Sequence, residues 1–124
     1  MTLSIDVYGP GRDITGRATA ALAAKRFLRI SGNETDGVMA VAPATAGGRT
    51  CGVAKYAADP GELVGVARGA SRVVRVTAAA PIAAFAEVEV GADGKAVTKT
   101  TGVSVGYATT AAATDGDAFI SLNA

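Results

Sequence analysis

The stretch Glu87-Val88-Glu89-Val90-Gly91-Ala92-Asp93-Gly94-Lys95-Ala96-Val97-Thr98 decides how this chain folds. A tight hairpin needs positive φ at its turn. Gly94 supplies it without steric cost and Asp93 tolerates it, so two short runs rich in β-branched residues fold back on each other. The two-residue spacing of Glu87 and Glu89 sets both carboxylates on one face of the first run, as a strand dictates.

Outward from this hairpin the same texture continues. Glycine occurs 16 times, at short intervals between small β-branched groups, the pattern of many short strands joined by turns. Asp59-Pro60-Gly61-Glu62 and Thr114-Asp115-Gly116-Asp117 each precede an apolar run and read as turns feeding strands at Leu63 and Phe119. Strands are expected at 3–7, 27–30, 38–42, 52–55, 63–67, 73–77, 88–90, 96–98, 103–108 and 119–122. Two regions are related. Gly52-Val53-Ala54 runs through an Ala-rich link to Pro60-Gly61-Glu62 and a strand, and Gly106-Tyr107-Ala108 runs through Ala111-Ala112-Ala113 to Asp115-Gly116-Asp117 and another. The fold class is all-β: a small barrel or sandwich of about 8–10 short strands, one β domain over 17–124.

The Ala-rich segment 18–28 resists this reading, because its intrinsic propensity favours a helix of about three turns. In the β alternative Ala18, Ala20 and Leu22 share a face, the chain turns near Ala24-Lys25, and a strand resumes at Phe27. Propensity is the weaker guide, and the β alternative is adopted. A short helix in the link 78–84 is limited by Pro81. Residues 1–16 differ from the rest: Gly9-Pro10-Gly11 breaks the first strand, and Arg12, Asp13 and Gly16 lead into the body with little apolar content. They are expected to form an extended N-terminal arm that orders on a partner.

Composition removes whole classes of chemistry. With 12 basic against 11 acidic residues the net charge is +1, too small for a strong electrostatic binder of nucleic acid or of an acidic membrane. Aromatics supply 5% of residues and there is no Trp, so the core is shallow and gains from a partner subunit. Cys51 stands alone, which excludes an internal disulfide, and the absence of His excludes an ordinary zinc site and imidazole acid/base catalysis. No basic flank precedes an apolar run at the N-terminus and no stretch approaches a membrane span, so a soluble protein made in a cytoplasm is expected.

The remaining constellations read as structural. Gly11-Arg12-Asp13-Ile14-Thr15-Gly16-Arg17-Ala18 matches only the glycines of a phosphate loop, since Arg17 and Ala18 replace the Lys and the hydroxyl that would bind phosphate and magnesium. The near pairs Glu87 with Glu89 and Asp115 with Asp117 suit acid/base work or calcium, but beside turns they read as solvated faces. Arg68, Arg72 and Arg75 form a basic group without interleaved aromatics, suited to acidic patches on a protein rather than to nucleic acid. No catalytic, cofactor-binding or metal-binding residue is expected, and the chain is read as no enzyme.

The ordered series Arg26-Phe27-Leu28-Arg29-Ile30-Ser31-Gly32, Val41-Ala42-Pro43-Ala44 and Cys51-Gly52-Val53-Ala54, leading to Pro60-Gly61-Glu62-Leu63-Val64, resembles the capsid cement or head decoration proteins of tailed bacteriophages. It continues through Arg75-Val76-Thr77-Ala78, Gly94-Lys95-Ala96-Val97, Val105-Gly106-Tyr107-Ala108 and Asp115-Gly116-Asp117 to Phe119-Ile120-Ser121-Leu122, over residues 17–122. Where the family has a Gly before the strand at Val88, this chain has Phe85-Ala86-Glu87. The resemblance implies a β-barrel-like homotrimer on the outer surface of the virion. It implies binding to the major capsid protein of the expanded head at threefold and quasi-threefold positions, with stabilisation of the shell, no cofactor, no nucleic acid and no membrane. The capsid-binding residues are then expected in and beside the arm, which can add to a sheet edge on a neighbour: Thr2, Leu3, Ser4, Ile5, Asp6, Val7, Tyr8, Arg12 and Arg17. The alternative is a β-domain that recognises carbohydrate or a host-surface ligand, for which few aromatics are present.

Overall fold

The computed structural model describes residues 5–123. β1 (Ile14–Ala18), β2 (Phe27–Ile30), β3 (Met39–Pro43), β4 (Gly52–Ala54) and β5 (Leu63–Ala67) close into a barrel in the order β1-β3-β2-β4-β5. β6 (Val73–Thr77), β7 (Glu87–Val90), β8 (Ala96–Thr98), β9 (Gly106–Ala108) and β10 (Asp117–Leu122) form a second sheet in the order β6-β10-β9-β7-β8. The all-β reading holds, and its barrel and sandwich alternatives resolve into one closed barrel followed by one sheet.

The two units are copies of one pairing scheme. In the first, Ile14 pairs with Val66 and Arg17 with Leu63; in the second, Val74 pairs with Ile120 and Thr77 with Asp117. Phe27 opposite Val53 becomes Glu87 opposite Tyr107, and the isolated bridge Leu22 to Ala58 becomes Ile82 to Ala112. The turns agree as well: Lys25 and Phe85 both take positive φ, 61° and 69°, as do Gly61 and Asp115, 90° and 63°. The similarity read between the Gly52 and Gly106 segments is thus the visible part of a duplication that spans both units.

They differ at one seam. β1 pairs in parallel with β3 over three residues and closes the first unit, whereas β6 meets β8 only at the bridge between Ala78 and Ala96. The second core lies behind this gap, where Val76, Ala78, Val90 and Ala96 are joined by Phe27, Ala44 and Val53 from the first unit. Phe27 is fully buried there. On the same side the Thr77 N–H, which β8 leaves unpaired, donates to the Lys25 carbonyl at 3.0 Å. The first unit therefore fills the seam of the second, and its own core of Leu28, Val41, Val64 and Val66 stays separate.

Several expectations are corrected. Ile14 to Gly16, placed in the arm, belong to β1, and the described part of the expected strand 3–7, residues 5–7, is not a strand. β1 also occupies the latter part of the segment weighed as a phosphate loop. The β alternative adopted for 18–28 holds: the Leu22 N–H donates to the Ala58 carbonyl and Lys25 turns the chain into β2. The strand expected at 103–108 begins at Gly106, because the Val103 N–H is taken by the Gly47 carbonyl from the other unit. The Asp93-Gly94 hairpin is present, built as a short 3₁₀ turn with φ of 57° and 72°.

Candidate interaction site

Among the described residues, Tyr8 and Asp13 fasten the arm to the body. Tyr8 stacks on the Arg68 guanidinium at 5.7 Å and its hydroxyl donates to Glu34 at 3.2 Å, while Arg68 donates to the Gly9 carbonyl at 2.6 Å. Partial desolvation and then the Glu34 carboxylate raise the Tyr8 phenol above its ordinary value. Asp13 accepts from Lys55 at 2.6 Å and from Arg72, which ties the arm to β4 and to the link between the units. These two bonds, Lys55 first, hold the Asp13 carboxyl below the usual range. Behind Gly11 the chain packs so closely that a β-carbon at Gly69 would lie 2.8 Å from the Gly11 Cα.

Beyond Tyr8 the character changes. Ile5 is 96% exposed and Val7 75% exposed, two apolar side chains directed into solvent from a fastened base, and Asp6 between them is also exposed. Thr2, Leu3 and Ser4 lie outside the described residues. The Arg12 stem folds back along Gly9, and Arg17 projects from β1 to donate to the Gly61 carbonyl at 2.8 Å. Tyr8 and Arg12 therefore share the arm, whereas Arg17 belongs to the barrel wall beside β5.

Other sequence candidates resolve into structure. Arg68 and Arg72 face their own arm, and Arg75 stacks on Phe119 at 5.2 Å. Asp115 and Asp117 turn to separate lysines, Lys95 at 3.3 Å and Lys25 at 3.1 Å, and Glu87 is exposed. Glu89 is buried and accepts from the Thr100 N–H, the Thr100 hydroxyl at 3.0 Å and the Gly102 N–H at 3.3 Å. Those bonds, the Thr100 N–H foremost, lower its pKa. Burial pushes the Cys51 thiol up to about 11, the opposite of an activated nucleophile. Among the described residues no group of three or more His, Cys, Asp or Glu is arranged to hold a metal, and no helix is long and apolar enough to cross a membrane.

Sequence reasoning missed the fasteners Glu34, Asp13 and Lys55, which are isolated charges in the linear order. It also missed an aromatic face on the second unit, where Phe85 is 80% exposed and packs edge-on to Tyr107 at 5.4 Å.

Comparison with known proteins gives the same direction. The fold is shared with the N base of the head fiber protein gp8.5 of bacteriophage phi29, at 23% identity and a TM-score of 0.76, covering 90% of this chain and 93% of that one. No curated protein sequence matches. Residues 9–123, nearly the whole described chain, match the phage cement protein family, a class of virion structural proteins and not of enzymes. With its ordered strand motifs, its two-unit β architecture and this match, the chain belongs to the phage cement protein family.

Proposed function

We propose that this cement protein binds the major capsid protein on the outer surface of the expanded phage head, at threefold and quasi-threefold positions, and stabilises the shell as a homotrimer. The observation that supports this most is the arm: Ile5 and Val7 are exposed apolar side chains next to a stretch anchored by Tyr8 and Asp13. Exposed apolar side chains beside an anchored segment lower their free energy by burial on a neighbour. This segment can straighten on a neighbour and add to a sheet edge there. Arg12 contributes charge on the same arm, and a head surface that presents many identical sites multiplies a modest affinity.

The test is co-sedimentation with heads carrying the cognate capsid protein. Saturable binding to expanded heads, with weaker binding to unexpanded ones, is expected. Deletion of residues 1–7 leaves β1 intact and should release the protein from heads. A deletion that binds as tightly as the full chain would move the contact elsewhere, and no binding to expanded heads would reject the assignment.

A further inference from the structure

We infer that the aromatic face of the second unit, Phe85 with Tyr107, docks on the first unit of another copy of this chain around Leu63, repeating between molecules the contact that joins the two units within one. The duplication carries the argument. Inside the chain the units meet where Lys25 forms an ion pair with Asp117 at 3.1 Å, beside the bond from Thr77 to the Lys25 carbonyl. The registers of the two units make Phe85 the counterpart of Lys25 and Leu63 the counterpart of Asp117.

The ion pair thus corresponds to two exposed apolar side chains, Phe85 at 80% and Leu63 at 47%. The positions that carry opposite charges at the contact within the chain carry an apolar pair at the corresponding positions on its two outer surfaces. Phe85 holds φ of 69°, a conformation that is costly for a bulky residue, and its edge-on packing at 82° against Tyr107 fixes its direction. Charge agrees with the pairing: Glu87 lies opposite Tyr107 on one surface and Arg17 opposite Leu63 on the other.

One element does not repeat. β1 gives its outer edge to β3, so the backbone bond made by Thr77 has no counterpart and the contact between copies is formed by side chains alone. Such a head-to-tail contact uses two different surfaces and generates a ring or an open chain.

Disulfide trapping in a Cys51→Ala background tests it. Phe85→Cys protein mixed with Leu63→Cys protein should form a cross-linked pair under mild oxidation, while neither alone should. Sedimentation should show self-association of the unmodified protein, and Phe85→Ser should weaken it by roughly tenfold to a hundredfold with an unchanged circular dichroism spectrum. Cross-linking of Phe85→Cys to itself, no cross-linking in the mixture, or a monomer at the highest soluble concentration would overturn the inference. The inference deepens the homotrimer part of the proposed function. A monomer would also withdraw that trimer in solution, whereas absent cross-linking of a self-associating protein would overturn only this contact. Neither readout contains heads, so head binding is tested separately.

Discussion

Gly52 and Gly106 occupy the same point in the two units, and at both the adjacent strand fills the space a side chain would need. A β-carbon at Gly52 would lie 2.7 Å from the Ala67 carbonyl oxygen and 2.6 Å from Val66 Cγ1. At Gly106 it would meet the Ser121 carbonyl oxygen and lie 2.9 Å from Ile120 Cγ2. These neighbours are themselves counterparts, through the pairings of β4 with β5 and of β9 with β10.

Gly106→Ala is therefore expected to destabilise the protein by about 1–3 kcal/mol, the range for forcing a methyl into a packed site. Gly52→Ala should cost more, because φ of 150° adds a conformational penalty to the clash. Urea midpoints equal to that of the wild type would show that β5 and β10 move aside freely.

Phe27→Ala removes the side chain that the first unit places in the second core, at a cost of about 3–5 kcal/mol. Leu28→Ala, one residue on, empties only the first core. Denaturation followed by probes in each unit should show Phe27→Ala separating the two transitions and Leu28→Ala shifting them together. Coincident transitions in Phe27→Ala would mean that the units are coupled by other contacts.

Glu89 should make the protein acid-sensitive. Its folded pKa lies below the ordinary 4.5, so its contribution is complete above that value and is lost as pH falls through the lowered one. Without the carboxylate Thr100 and Gly102 lose their acceptor, and the 99–103 segment keeps on β7 only its backbone bond from the Lys99 N–H to the Glu87 carbonyl. Thermal midpoints should fall with acid in the wild type and lie lower but flatter in Glu89→Gln; parallel profiles would assign the acid response to another group.

Cys51 should react slowly with a thiol reagent at neutral pH and quickly once the chain is unfolded in denaturant. With its pKa raised to about 11, almost no thiolate exists in the folded state. Rapid labelling of native protein would show that partial burial does not hold this thiol protonated.

The strands with well-marked turns were legible because turn chemistry is local: 27–30, 63–67, 73–77 and 96–98 agree with the structure to the residue. β1 escaped notice because one of its three inward positions is Gly16, where a β-carbon would lie 3.0 Å from Val41 Cγ2. The hydrophobic side chain that fills this space stands on the neighbouring strand β3 instead. The duplication was only half visible for a related reason: Ile14 recurs as Val74 but Val66 recurs as Ile120, so no constant period exists. The proposed contact residues Ile5 and Val7 stand out in the sequence as apolar side chains in a polar passage, and the structure shows both exposed. Phe85 looked like one residue of an Ala-rich link until the turn that presents it was seen.

The unequal seams also give the molecule a direction in time. The N-terminal half completes its hydrogen-bond ring with its own strands, while the C-terminal half takes a phenyl group from its predecessor. Ribosomal synthesis delivers these halves in that order, so the finished one serves as a template on which the later one condenses. A chain rearranged to begin at β6 would have to wait, its core open to water, for the plug that arrives last.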